Sequence, residues 1–133
     1  MKSRILVAAL VALIGGSVAS AQALPVGNAV AGQRVFNQCA SCHTIGKGAQ
    51  AEAAPALNGV IGRKAGTAPG FAYSAAMKKS GLTWDAPTLA RFLQAPAKTV
   101  PGTQMGFGGL MKPQDQADVI AYLNQYAADG AKK

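Results

Sequence analysis

The chain has 133 residues, the size of one domain, and its 13 Lys and Arg outnumber 5 Asp and Glu to give a formal net charge of +8. The positive charges are scattered singly or in pairs, and no segment is typical of a nucleic-acid-binding fold, so we expect no nucleic-acid partner. Two cysteines and one histidine are too few to close a zinc site, which needs about four ligands, unless carboxylates or a second subunit contribute. Aromatic residues make up only 6%, so a bound cofactor would supply core volume that a domain this small otherwise lacks.

Residues 1–23 have the pattern of a cleaved secretory signal. Lys2 and Arg4 precede an apolar run from Ile5 to Ile14, and small residues then form two A-x-A cleavage patterns. The apolar run is shorter than the about 20 residues that span a membrane, which favours a cleaved leader over the alternative of a retained membrane anchor. We therefore expect a leader over 1–23, export to the periplasm, no stable membrane insertion and one domain over residues 24–133.

The first helix is predicted from Asn28 to about Gln38. Asn28 is a favourable N-cap, and Gly32 and Phe36 are four residues apart and share one face of the helix. A glycine inside a helix costs stability, so we expect Gly32 to pack closely against another element.

This helix leads into Cys39-Ala40-Ser41-Cys42-His43, and a C-x-x-C-H sequence is the attachment pattern of a c-type haem. Each thiol adds to one vinyl group of the porphyrin, and the adjacent imidazole binds the iron. A redox dithiol, a structural disulfide and a zinc site are the alternatives. A dithiol usually lies between a strand and a helix, a pattern that this sequence lacks. We therefore predict one haem c, bound covalently through Cys39 and Cys42 with His43 as an iron ligand.

A long irregular segment, residues 44–70, follows the motif and is rich in Gly, Ala and Pro. Loops of this length are unusual in a compact domain unless they cover something, and here a haem would need cover. Pro55 has no N–H, but its carbonyl can accept the Nδ1 proton of His43 and so fix the tautomer of the imidazole.

Three further helices are predicted after this loop. The first spans Tyr73–Ser80, and the second begins at the N-cap Asp85 and ends at Ala95-Pro96. The last runs from about Pro113 to Ala128, with Gly130 as its C-cap. The expected fold class is therefore all-α, with about four or five helices and long loops wrapped round one haem.

The sixth iron ligand is predicted from the methionines, because His43 is the only histidine. Met77 falls in a helical pattern and is expected to pack in the core. Met105 lies in a glycine-rich loop opened by Pro101-Gly102, where the backbone can turn a thioether inward. Position alone favours Met105, with Met111 second and an open sixth site as the remaining alternative.

Four segments occur in a specific order and at specific spacings: C-A-S-C-H-T, G-R-K-A-G-T-A-P-G-F-A-Y-S, L-T-W and V-P-G-T-Q-M-G-F. In these segments the chain resembles class I cytochrome c, in the mitochondrial-like form that is found also in exported bacterial proteins. The resemblance covers residues 27–126 and implies the small cytochrome c fold.

The resemblance also implies roles for residues around the cofactor. It implies His43 and Met105 as the two axial iron ligands and thioether links at Cys39 and Cys42. The other residues that it places at the haem are, for a propionate, Arg63, Tyr73, Ser74 and Trp84, and, beside the axial ligands, Pro55 and Thr103.

The sequence departs from the family pattern at two sets of positions. Phe92 stands where relatives often have a tyrosine near the methionine sulfur, and Met77 stands where an asparagine often holds an internal water. Both changes make the side of the haem that carries the methionine less polar. The second set lacks lysines that mitochondrial relatives often have around the haem edge: Gln38, Ala97, Gln104 and Met111.

The function implied by the resemblance is that of a mobile one-electron carrier, a monomer and not an enzyme. It would accept an electron from a quinol–cytochrome c reductase or a dehydrogenase and deliver it to a terminal oxidase, a peroxidase or a photosynthetic reaction centre, docking around Phe107. The alternatives are a haem enzyme or gas sensor with a displaceable methionine, and a fixed haem subunit of a dehydrogenase complex. No distal His or Arg is evident to assist peroxide cleavage, which disfavours an enzyme.

Overall fold

The computed structural model describes residues 15–16 and 22–133, so the predicted leader lies outside the described residues except at 15–16 and 22–23. The described part contains five helices: α1 (Ala29–Phe36), α2 (Ala75–Lys79), α3 (Ala86–Gln94), α4 (Pro96–Thr99) and α5 (Pro113–Leu123). Long loops connect them, and the only extended pairings among the described residues are two isolated bridges. The prediction of a small all-α fold with four or five helices is confirmed.

The packing of α1 across α5 is the main helix contact of the fold. A Cβ placed on Gly32 would overlap the Asp118 carbonyl and lie 2.8 Å from the Cβ of Tyr122, so only glycine allows the two backbones to approach this closely. The Phe36 ring packs on the Tyr122 ring with centroids 5.4 Å apart. The predicted reason for a glycine inside the first helix is therefore confirmed.

Short polar side chains define where three helices begin. The Asn28 side chain accepts hydrogen bonds from backbone N–H groups in the first turn of α1. Ser74 caps α2 and Asp85 caps α3, where its Oδ1 accepts from the Thr88 N–H at 2.8 Å. Because Ser74 is the cap, α2 begins at Ala75, two residues after the predicted start.

Proline has two effects on the chain at Pro96. It ends α3 at Gln94, as predicted, but it also occupies the first position of the short helix α4, which the sequence did not predict. Proline is unfavourable inside a helix yet favourable in its first turn, because its fixed φ suits the helix and its missing N–H would have no partner there.

The last helix is shorter than predicted. It ends at Leu123, with Asn124 as its C-cap, whereas the prediction extended it to Ala128. The prediction that Gly130 caps this helix is wrong. Gly130, with φ of 81°, belongs to a later turn, after which Lys132 forms a β-bridge with Tyr126.

The core lies between α1, α3 and α5 and continues into the loops around them. Val119 on α5 is 1% exposed, and the side chains that surround it on α1, α3 and α5 are also buried. These residues are Phe36, Leu89, Phe92, Leu93, Ile120, Tyr122 and Leu123. In the part of the chain that the structure describes, no helix is both long and apolar enough to cross a membrane.

Candidate haem-binding site

A cavity of about 410 Å³ lies in the middle of the domain, next to the C-x-x-C-H motif. Its walls include every residue that the sequence placed near the haem: Cys39, Cys42, His43, Pro55, Arg63, Tyr73, Ser74, Trp84, Thr103 and Met105. The remaining walls are mostly apolar side chains of the helices and loops, such as Leu57, Val60, Leu89, Phe92, Leu93 and Leu123. A mostly apolar cavity with few polar groups is typical of a cofactor site.

One wall carries the two thiols on a tight turn that continues from α1. The Cys42 and His43 N–H groups both donate to the Cys39 carbonyl, at 3.1 and 2.9 Å. Cys39 is half-buried and Cys42 is exposed, and burial raises the pKa of the Cys39 thiol. The turn therefore presents two thiols and one imidazole to the same cavity.

The imidazole of His43 is oriented by the loop that covers this wall. Its Nδ1 lies 2.8 Å from the Pro55 carbonyl oxygen, and because a carbonyl can only accept, Nδ1 carries the proton. The other ring nitrogen then keeps its lone pair for a metal. Burial lowers the pKa of His43, while the hydrogen bond to Pro55 acts in the opposite direction. The neutral imidazole is the form that binds iron.

Arg63 brings a cationic group to the edge of the cavity. Its Nη1 donates to the Asn58 carbonyl at 2.8 Å, but its buried Nε has no hydrogen-bond partner among the described residues. Burial lowers the pKa of Arg63, and the nearby Tyr73 partly offsets this effect. A buried donor without an acceptor is costly, so the cavity requires an acceptor at this point.

The same edge offers two hydroxyl protons. Tyr73 Oη accepts from the Ala68 N–H at 3.2 Å, and Ser74 Oγ accepts from the Met77 N–H at 3.1 Å. In both contacts the hydroxyl is the acceptor, so its own proton remains available to donate. With the unpaired Arg63 Nε, these groups suit a carboxylate, and the thiols and imidazole suit a porphyrin with its iron. The residues present therefore fit a covalently bound haem.

The wall that carries Met105 belongs to the glycine-rich loop before α5. The Met105 N–H lies 3.3 Å from Thr103 Oγ1, its acceptor, and Leu110 N–H fastens the end of the loop to the Leu93 carbonyl at 2.7 Å. Met77 also lines the cavity, whereas Met111 does not and is 63% exposed. Of the methionines that the sequence considered, Met105 and Met77 thus reach the cavity.

Sequence reasoning missed two polar residues that hold the walls in place. Gln116 is buried on α5, and its Nε2 donates to the Leu110 carbonyl at 2.6 Å. Asn58 Oδ1 accepts from the Gly46 N–H at 2.8 Å, and Asn58 Nδ2 donates to the Gly46 carbonyl at 2.9 Å. A glutamine within the apolar stripe of α5 was a readable signal for Gln116. An asparagine in an irregular loop gave no signal for Asn58.

Comparison with known proteins agrees with this geometry. Residues 29–127 match the family model described as cytochrome c. The chain is 55% identical to cytochrome c2 of Rhodoblastus acidophilus, over 80% of this chain and 99% of that protein. It is 50% identical to cytochrome c of Gossypium barbadense, over 83% of this chain and 100% of that protein. The solved structure of cytochrome cH from Methylobacterium extorquens is 47% identical, with a TM-score of 0.69 over 74% of this chain and 98% of the other.

The chain belongs to the cytochrome c family, in its class I form. It binds one haem c covalently through its C-x-x-C-H motif at Cys39 and Cys42, and it is an electron-transfer cytochrome. When bound, the haem supplies the one-electron chemistry of its iron. The protein supplies the iron ligands, sets the polarity around the haem and controls how solvent and partners reach it.

Proposed function

We propose that the protein is a monomeric one-electron carrier of the periplasm, with His43 and Met105 as the axial ligands of its haem iron. The observation that carries this proposal is that one cavity is lined by both side chains and by both thiols. Because a methionine sulfur favours ferrous iron and two protein ligands leave no site for a substrate, this pair is suited to electron transfer and not to catalysis.

The propionates are proposed to lie toward Arg63, Tyr73, Ser74 and Trp84. The unpaired Arg63 Nε supports this orientation because it needs an acceptor. Trp84, 6% exposed, lines the same cavity, and its backbone N–H donates to the Arg63 carbonyl at 2.9 Å. A carboxylate enclosed among these groups is held as an anion, and enclosure of the haem away from water favours the reduced protein.

The proposed partners are redox proteins that meet the protein at the Met105 loop. A quinol–cytochrome c reductase or a dehydrogenase would donate the electron, and a terminal oxidase, a peroxidase or a reaction centre would accept it. Phe107 on this loop is partly exposed and also lines the cavity. Lys98 and Lys112 are exposed cations, while Gln104 beside Met105 is exposed and uncharged. We therefore expect the rate of oxidation by a partner to depend only modestly on salt.

The ligation is tested by absorption spectra of the haem-loaded protein, ferric and ferrous, with and without carbon monoxide. We expect a weak red charge-transfer band from sulfur to ferric iron and no binding of carbon monoxide. Met105→Leu should lose the band and bind carbon monoxide, while Met111→Leu, a matched change at an exposed methionine, should do neither. High-spin spectra and ready carbon monoxide binding in the unmodified protein would contradict the carrier and favour an enzyme or gas sensor.

A further inference from the structure

The chain after α5 folds back in a short turn that we call the carboxy-terminal hairpin, residues 126–133. Tyr126 and Lys132 form an antiparallel bridge across it. The Gly130 N–H donates to the Ala127 carbonyl at 2.9 Å, and Gly130 adopts a φ of 81° that favours glycine. The hairpin is thus an ordered element with its own hydrogen bonds.

The hairpin packs against the loop that covers the His43 wall, which we call the proximal loop, residues 44–59. The Gly59 N–H donates to the Tyr126 carbonyl at 3.2 Å. A Cβ placed on Gly59 would lie 2.9 Å from the Ala128 Cα. The two backbones are therefore too close at this point to admit a side chain on Gly59.

A second contact lies at the tip of the hairpin. A Cβ placed on Gly130 would overlap the Gly46 carbonyl oxygen and lie 2.8 Å from Asn58 Nδ2. Gly46 and Asn58 are the two residues that close the proximal loop, since the Asn58 amide both donates to the Gly46 carbonyl and accepts from its N–H. Gly130 thus rests directly on the pair that closes the loop.

The closing pair is the last of three successive contacts that begin at the imidazole. The first joins His43 Nδ1 to the Pro55 carbonyl at 2.8 Å. In the second, the Leu57 N–H donates to the Thr44 carbonyl at 2.9 Å. Gly46 with Asn58 is the third, at 2.8 and 2.9 Å. The third contact is connected to the first by two short chain segments, residues 43–46 and 55–58.

We propose that the carboxy-terminal hairpin is a positioning element for His43, which acts by holding the closing pair and hence the Pro55 carbonyl in place. The proposal deepens the proposed function and rests on the assignment of His43 as an iron ligand. A carbonyl that accepts the Nδ1 proton makes the imidazole a stronger electron donor, which favours ferric iron. Loosening the hairpin contact therefore raises the reduction potential and exposes the Nδ1 proton to solvent.

The test uses the full haem-loaded protein labelled with ¹⁵N-histidine, in which the single histidine supplies one imidazole ring whose N–H is at Nδ1. Solvent exchange of the Nδ1 proton is measured by NMR in the ferrous state for Gly130→Ala and for Gly81→Ala. Gly81 is the matched control, because its φ of 68° is also positive but no atom lies within 4 Å of its Cβ position. We expect exchange about tenfold faster in Gly130→Ala and within roughly twofold of the unmodified protein in Gly81→Ala. The reduction potential should rise only in Gly130→Ala.

A variant that lacks residues 130–133 removes the same contact without introducing an overlap, so the test stands even if Gly130→Ala fails to fold. We expect this variant also to show faster Nδ1 exchange and a higher potential. Unchanged exchange and potential in the truncated protein, or equal changes in Gly81→Ala, would overturn the proposal. Because the readout is the His43 ring itself, an error in the assignment of Met105 would appear in the spectra of the unmodified protein and not in this comparison.

Discussion

The carboxylate of Asp118, in the middle of the last helix, accepts the backbone N–H of Asn28 at 2.8 Å, 90 residues earlier in the chain. The side chain of Asn28 caps α1, so Asp118 fixes the residue that begins the first helix. Gln114 adds to this contact, since its Nε2 donates both to Asp118 Oδ1 and to the Val26 carbonyl. The crossing of α1 and α5 is thus fastened by polar contacts at the start of α1 as well as by the apolar face.

Replacing Asp118 should weaken this crossing. Asp118→Ala leaves the part-buried Asn28 N–H without its acceptor, and we expect the free energy of unfolding to fall by about 1–3 kcal/mol. Asp118→Asn keeps an acceptor but loses the charge, so its cost should be smaller. Denaturant unfolding of the haem-loaded protein measures both.

Asp115→Ala is the matched control for this series. Asp115 lies one turn earlier on α5, where an acidic residue in the first turn contributes only about 0.3–1 kcal/mol through the helix dipole. If Asp115→Ala were as destabilising as Asp118→Ala, the contact with Asn28 would not be the cause.

The features that the sequence predicted well are those that local chemistry decides. An N-cap such as Asn28 or Asp85 needs only its own side chain and the next three residues, so both are readable without a structure. Gly32 is readable for a different reason, since a glycine within an amphipathic helix indicates a close neighbour even though it does not say which one. The sequence thus predicted the role of each residue, and the structure identified the groups that it contacts.

The features that could not be predicted depend on contacts between distant parts of the chain. The chain leaves α5 at Leu123 and enters the hairpin in which Tyr126 pairs with Lys132. No residue next to Leu123 in the sequence predicts this end of the helix. The cavity residues came largely from the family resemblance, because loops give little periodic signal. The unpaired Nε of Arg63 could be recognised only in the structure, because an arginine in a sequence is expected by default to be a solvated surface charge.

The stability of the protein should fall at high pH because of Tyr122. Burial and the contact with Tyr126 raise the pKa of Tyr122 to about 12 from an ordinary value of 10.0. The folded state therefore keeps a proton that the unfolded chain releases, so this contribution is complete below about pH 10 and is lost as the pH rises to about 12. Unfolding midpoints measured across this range should decline, and Tyr122→Phe should flatten the decline.

Tyr126→Phe is the control for that measurement. It removes the hydroxyl that lies 3.4 Å from the Tyr122 hydroxyl but leaves Tyr122 buried, and burial is the largest cause of the raised pKa. Most of the decline should therefore remain in Tyr126→Phe. A decline that persists unchanged in Tyr122→Phe would assign the loss of stability to another group.

Arg63 should raise the reduction potential through its charge. A cation at the edge of the cavity destabilises the extra positive charge of ferric iron. Arg63→Gln should therefore lower the midpoint potential, by an amount that corresponds to roughly 1 kcal/mol in the free energy of reduction. Arg91→Gln is the control, because Arg91 lies outside the cavity lining and its guanidinium donates to Thr88 Oγ1 at 3.3 Å. Potentiometric titration of both variants decides the point, and equal shifts would show that net charge alone is responsible.

Phe92 and Met77 should make the cavity unusually apolar on one side. Both side chains are buried and line the cavity. Phe92→Tyr and Met77→Asn should therefore each lower the midpoint, since a polar neighbour stabilises the charge of ferric iron. The pH at which the proposed methionine ligand is displaced in the ferric protein should also change.

The exposed Met111 offers a control with the same chemistry. Met111→Asn makes the same exchange of a thioether for an amide on the surface, 63% exposed, and should leave the midpoint in place. A difference between Met77→Asn and Met111→Asn would therefore come from polarity inside the cavity and not from the amide itself. Unchanged midpoints in both Phe92→Tyr and Met77→Asn would refute this account, because the potential would then be insensitive to polarity at these two positions.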